Sequence, residues 1–154
     1  MRNLWSFGIV FVAVSAAAGQ DMPLSQVIPP GEGWKPAGVE CSSAAGLAGD
    51  GRGNVFVADP DGRQIWRIDK DGKASLFTKT QGCVHGLAVA ADGRLFAGEP
   101  EAERVLVYDA DGKEVARHAD LGAADLALTK TGACYCAVPE EKAVYLLCAD
   151  GQKR

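Results

Sequence analysis

A segment of about 40 residues recurs three times along the chain, almost without gaps. The first copy reads GLAGDGRGNVFVADPDGRQIWRIDKDGKASLF, the second GLAVAADGRLFAGEPEAERVLVYDADGKEVAR and the third DLALTKTGACYCAVPEEKAVYLLCADGQKR. Gly53, Gly93 and Gly132 stand 40 and 39 residues apart, and so do Gly72, Gly112 and Gly151. Repetition at this period marks an array of small units, each packed on its neighbours, and not one mixed core.

Within each copy the apolar residues alternate with a period near two, broken by turn chemistry, and no helical period appears after the N-terminal stretch. In the first copy Leu47–Gly49, Asn54–Ala58, Gln64–Ile68 and Ala74–Thr78 read as four short antiparallel strands. Arg94–Gly98 and Arg104–Tyr108 repeat the middle pair in the second copy, and Ala133–Ala137 with Ala143–Leu147 do so in the third. Asp59-Pro60-Asp61-Gly62-Arg63 and Asp69-Lys70-Asp71-Gly72-Lys73 are hairpin turns in which Asp caps and Gly takes a positive φ. Four-stranded sheets at this spacing are the blades of a β-propeller.

The chain therefore reads as all-β, a β-propeller with about three four-stranded blades, half of a six-bladed ring, with repeats near 45–83, 85–122 and 124–154. Closed rings carry about 4–8 blades, and the third copy reaches Arg154 without an outer strand. Left alone, such an array exposes apolar blade faces and unpaired strand edges. Either the sequence is part of a longer protein, or two copies associate. In the second case Trp34–Val39, which stands in outermost-strand register, would complete the partner's third blade.

The N-terminus has a different character. Arg2 precedes an uncharged stretch, Leu4 to Ala18, that contains Trp5, Phe7, Ile9, Val10, Phe11, Val12 and Val14 and closes on Ala16-Ala17-Ala18. This is the pattern of a secretory signal peptide, with an apolar part too short for a membrane span. The expected layout is a signal peptide over 1–18, an extended Pro- and Gly-bearing arm over 19–33, and a partial propeller over 34–154, exported to the periplasm or the medium. The formal charge of −4 is spread along the chain with no basic stripe, which argues against a nucleic-acid partner; no membrane partner is expected after cleavage.

Export makes disulfides chemically possible, and five cysteines leave at least one unpaired within the chain. Cys41 and Cys83 lie in equivalent connections before inner strands and are the first expected pair; Cys134 with Cys148 across a hairpin is the second. Cys134-x-Cys136 has no further Cys or His pair at zinc spacing and reads as two small apolar side chains on one strand face. No GxSxG elbow or His-x-x-x-His pair occurs.

The stretches AAGLAGDGRGNVFVADPDGRQIWRIDKDG, VHGLAVAADGRLFAGEPEAERVLVYDADGKE and AADLALTKTGACYCAVPEEKAVYLL run like EGPAxDxxGNVYFTD, NGLxxxxDGRLYVAE and NDLxxxxxGxIYFTDP. In these the chain resembles the gluconolactonase, senescence-marker-protein and luciferin-regenerating-enzyme family of six-bladed propellers, over nearly all of the mature chain and the first half of such a domain. The resemblance implies a metal-dependent sugar-lactone hydrolase with a divalent cation such as calcium, held through oxygen atoms at the mouth of the central channel. That cation would polarise the lactone carbonyl and activate water. Sugar lactone or carbohydrate is the implied small-molecule partner. NHL-type propellers share the same turns and strand spacing, and a non-catalytic propeller binding a carbohydrate or protein is the alternative.

By the resemblance, the channel-mouth positions are Ala45, His85 and Ala124. Ala45 stands where the family has its metal-binding Glu, Ala124 where it has a substrate-contacting Asn, and Gly122 where it has an Arg. A methyl group neither coordinates a cation nor hydrogen-bonds a sugar. His85 is the candidate general base or metal ligand, against a plain hydrogen-bonded channel residue. Asp125 follows the family pattern, against a strand-start Asp serving nearby backbone amides. Asp59 and Glu99 follow the middle strands of the first two copies, a series that Val138 breaks, and read as turn positions. His118 reads as solvent-exposed in a connection between blades.

Overall fold

In the computed structural model of the chain, residues 31, 33, 36–148 and 152–154 are described. The signal peptide expected over 1–18, nearly all of the arm expected over 19–33, and Trp34 and Lys35 of the outermost strand lie outside them. All strands fall in the unit Pro36–Arg154.

Among the described residues, eleven strands form three antiparallel sheets in chain order. The first contains β1 (Leu47–Gly49), β2 (Val55–Asp59), β3 (Gln64–Ile68) and β4 (Ala74–Lys79). The second contains β5 (Leu87–Val89), β6 (Leu95–Glu99), β7 (Arg104–Tyr108) and β8 (Glu114–Ala119). The third contains β9 (Asp125–Leu128), β10 (Cys134–Val138) and β11 (Ala143–Leu147). Each sheet pairs neighbour with neighbour, inner strand to outer, as a propeller blade does. Among the described residues no helix is long and apolar enough to cross a membrane.

Turn chemistry sets the strand limits. β2, β6 and β10 start one residue later than the alternation suggests, because the carbonyls of Asn54, Arg94 and Ala133 are taken by the amides of Asp50, Ala90 and Thr129. Asp69 Oδ1 accepts the Asp71 and Lys73 amides, and Asp109 Oδ1 those of Asp111 and Lys113, leaving Gly72 and Gly112 at φ +80 and +82. The β2–β3 turn differs from expectation. Its left-handed residue is Arg63, at φ 48, and not Gly62; Glu103 and Lys142 repeat this after Pro100 and Pro139. Gly62 is there because a Cβ would overlap Asp59 Oδ2.

Alternation then fills two layers between the three blades. Phe56, Ala58 and Ile65 of the first blade bury against Leu87, Leu95, Ala97 and Leu106 of the second. On the other face of the second blade, Ala88, Phe96, Val105 and Val107 meet Leu126, Cys134, Cys136 and Leu147 of the third. Each fully buried large side chain contributes about 1.5–3 kcal/mol.

Four expectations need correction. The third blade does have the start of an outer strand: Arg154 exchanges backbone hydrogen bonds with Leu146 at 2.8 and 3.0 Å, and Lys153 bridges to Leu147. Pro36–Val39 form no strand, since Pro36 offers no N–H and Gly38 turns the chain at φ +69. All five thiols are free, so neither Cys41–Cys83 nor Cys134–Cys148 is bonded; Cys134 instead faces Cys136, with their sulfurs 3.8 Å apart in the core. His118 lies within β8, half-buried and paired with Val105, and not in a connection.

Candidate functional site: the rim of the inner strands

The three inner strands stand side by side, β1 against β5 and β5 against β9. Just ahead of each strand one backbone hydrogen bond recurs. Ala45 N–H donates to Ala58 O at 3.1 Å, His85 N–H to Gly98 O at 2.9 Å and Ala124 N–H to Ala137 O at 2.9 Å. Ala45, His85 and Ala124 thus hold equivalent places at one end of three successive blades, and Asp125 follows as the first residue of β9.

Glycine lets this rim close up. A Cβ on Gly46 would overlap the His85 carbonyl oxygen and lie 3.3 Å from Leu87 N. A Cβ on Gly86 would lie 2.7 Å from Asp125 Cα and 2.9 Å from Ala124 O. Backbone therefore touches backbone from blade to blade, and the rim positions are locked to each other through main chain.

The side chains carried there are sparse in donors. Ala45 is exposed and Ala124 half-buried, each presenting only a methyl group. The half-buried His85 imidazole makes no hydrogen bond or ion pair within the described residues, and its ring nitrogens are open to solvent. Asp125 is exposed, and its Oδ1 accepts the following amide, Leu126 N–H, at 2.9 Å. Gly122 is buried, with a Cβ due 3.1 Å from Pro100 O, so no arginine-sized side chain fits without moving that carbonyl.

A hard divalent cation requires several oxygen ligands converging on one point. Among the described residues no three His, Cys, Asp or Glu side chains do so. With methyl groups at 45 and 124 and Asp125 turned onto its own backbone, these rim residues do not fit a calcium-type ion. What the rim offers is one imidazole and one carboxylate on adjacent blades, a pair suited to hydrogen-bonding hydroxyl groups.

Two acidic residues near the same end are engaged elsewhere. Asp59 and Glu99, the last residues of β2 and β6, are fully buried. Asp59 accepts the Ser42 and Ser43 amides at 3.1 and 3.0 Å, Gly62 N–H at 3.0 Å and Gln64 Nε2 at 3.1 Å. Glu99 accepts Gly82 N–H at 3.1 Å and pairs with the Arg104 guanidinium. Asp59 thus ties the connection entering its blade to the β2–β3 turn, and Glu99 ties the equivalent connection to the start of β7. Sequence reasoning placed both at turns and missed their burial.

The Cys134–Cys136 pair lies on β10 facing the second blade, away from the rim. The Cys134 sulfur and burial push the Cys136 thiol up, so Cys136 is not a ready nucleophile.

The chain matches no protein-family profile, and no curated protein matches it in sequence. Its likenesses are to solved structures. Virginiamycin B lyase from Staphylococcus aureus is 17% identical with a TM-score of 0.63, over 73% of this chain and 40% of that one. A gluconolactonase from Xanthomonas campestris is 23% identical with a TM-score of 0.60, over 73% of this chain and 46% of that one. The calcium-binding regucalcin from Agrobacterium tumefaciens is 16% identical with a TM-score of 0.58, over 69% and 45%. The chain thus spans less than half the length of these proteins, and by its three successive blades it is a β-propeller segment similar in fold to gluconolactonase, regucalcin and virginiamycin B lyase.

Proposed function

We propose that the chain is an exported propeller segment whose rim binds a carbohydrate or sugar lactone through His85 and Asp125, without a metal centre of its own. The observation that carries this reading is the state of the three equivalent rim positions: the backbone holds them in register, yet two of the three present methyl groups. Oxygen-rich ligands still find partners there, because an imidazole with no internal hydrogen bond pairs with a hydroxyl at low cost. The second reading, metal-dependent lactone hydrolysis, is favoured by the sequence resemblance and by a gluconolactonase among the fold neighbours. It requires oxygen ligands from outside the described residues.

Hydrolysis of sugar lactones, assayed with calcium, zinc or manganese and with chelator, separates the two. The expected outcome is no metal-dependent turnover, together with lactone or carbohydrate binding by calorimetry that His85→Ala weakens by about tenfold, the value of one good hydrogen bond. Metal-dependent turnover by the purified chain would restore the hydrolase reading.

Export rests on the leader pattern of residues 1–18. Expressed with that leader in a bacterium, the chain is expected outside the cytoplasm with Gly19 as its first residue, by intact mass. A cytoplasmic product that keeps residues 2–18 would overturn it.

A further inference from the structure

We propose that a second copy of this chain covers both of its open blade faces, the first blade of each copy packing on the third blade of the other to close one ring. The proposal stands independently of what the rim binds.

Repeat symmetry carries the argument. The second blade packs on the first through Leu87, Leu95, Leu106 and Tyr108. One repeat earlier, the same positions on the first blade are Leu47, Val55, Trp66 and Ile68. They form its open face: Leu47 is 68% exposed where Leu87 is 5%. The second blade packs on the third through Ala88, Phe96, Val105 and Val107. One repeat later these are Ala127, Tyr135, Val144 and Leu146 on the third blade's open face, and Val144 is 67% exposed where Val105 is 0%.

Each open face is therefore the repeat-equivalent of a surface that is buried elsewhere in the same chain. The first blade's face is of the kind that receives a preceding blade, and the third blade's face is of the kind that receives a following one. They complement each other and not themselves. None of the eight positions is charged, as an interface core requires. The first blade's face also borders an apolar groove of about 710 Å³ lined by Pro36, Ala37, Val39, Leu47 and Val55. Blade count agrees as well: two sets of three sheets give six, within the roughly 4–8 blades of closed rings. A head-to-tail contact made twice about one two-fold axis closes and leaves no apolar face in water.

Light scattering on the purified chain is expected to give the mass of two chains. A single-chain mass, or an open-ended series of oligomers, would overturn the proposal, the first leaving the faces to other blades or partners and the second showing a contact that does not close. Leu47→Asp and Val144→Asp alter exposed side chains and spare the folded blades. Each alone is expected to raise the dissociation constant by about 100-fold, since every copy of the contact then buries an unpaired carboxylate. Mixing the two variants is expected to restore association in part, because the mixed pair keeps one unaltered contact. If either variant leaves the mass unchanged, or mixing restores nothing, the head-to-tail arrangement is wrong.

Discussion

Replacing Asp59 with alanine is expected to destabilise the chain by about 2–3 kcal/mol, the cost of leaving its hydrogen-bond donors without their acceptor. The side chain is fully buried and satisfies four donors at once: two amides of the connection entering the first blade, one amide of the β2–β3 turn, and the Gln64 side chain. Alanine leaves those part-buried donors without their acceptor, and an unsatisfied buried polar group costs about 1–3 kcal/mol. Asp59→Asn keeps the shape but turns an amide N–H₂ toward other donors, so it should fall between wild type and alanine. Urea unfolding followed by two probes measures the loss. A value below about 1 kcal/mol would mean that the connection is held by something other than this carboxylate.

The same residue sets an acid limit. Burial opposes its ionisation, but hydrogen bonds from Ser43, Gln64, Gly62 and Ser42 outweigh burial and hold it at about 2, below the ordinary 3.8. A depressed folded value means that the stabilisation is complete above the unfolded value and is lost as pH falls through about 2. Asp59→Asn should therefore flatten the stability profile between about pH 4 and pH 2. An unchanged acid slope would place the proton uptake on other carboxylates.

Much of the architecture is legible in the sequence, for reasons the structure makes plain. Strands such as Gln64–Ile68, Arg104–Tyr108 and Ala143–Leu147 are short runs rich in aliphatic and aromatic residues bounded by turns, and local turns are encoded locally. The rim positions 45, 85 and 124 are legible too, because a repeat transfers a backbone position from one blade to the next. What escapes is whatever depends on distant chain. Asp59 and Glu99 stand beside Pro60 and Pro100, the mark of an exposed turn; they are buried because a connection 17 residues earlier folds over each. Arg63 takes the left-handed angle that Gly62 appears to offer, since Gly62 is required for its lack of a side chain against Asp59. Thiol pairing failed for a similar reason: equivalent places in two repeats say nothing about the distance between sulfurs. His118 sits in EVARHA, a mostly exposed outer strand whose limits have no strong alternation to mark them.

Gly46→Ala is expected to destabilise the chain by about 3 kcal/mol or more, at the upper end of what overpacking costs. The added methyl would overlap the His85 carbonyl oxygen and stand 3.1 Å from its carbon, and main chain cannot swing aside as the end of a long side chain does. Relief requires the first two blades to part at the rim, which would also loosen the apolar layer of Phe56, Ile65, Leu87 and Leu95 between them. Gly49, three residues on at the end of β1, supplies the control: its nearest neighbour would be Asn54 O at 3.9 Å, and its φ is not positive. Gly49→Ala should be neutral or stabilise by about 0.4–1 kcal/mol through the unfolded chain. Thermal melts of both variants decide the matter. Equal melting of Gly46→Ala and wild type would mean that the inner strands do not meet through main chain, and the shared register of Ala45, His85 and Ala124 would lose its physical basis.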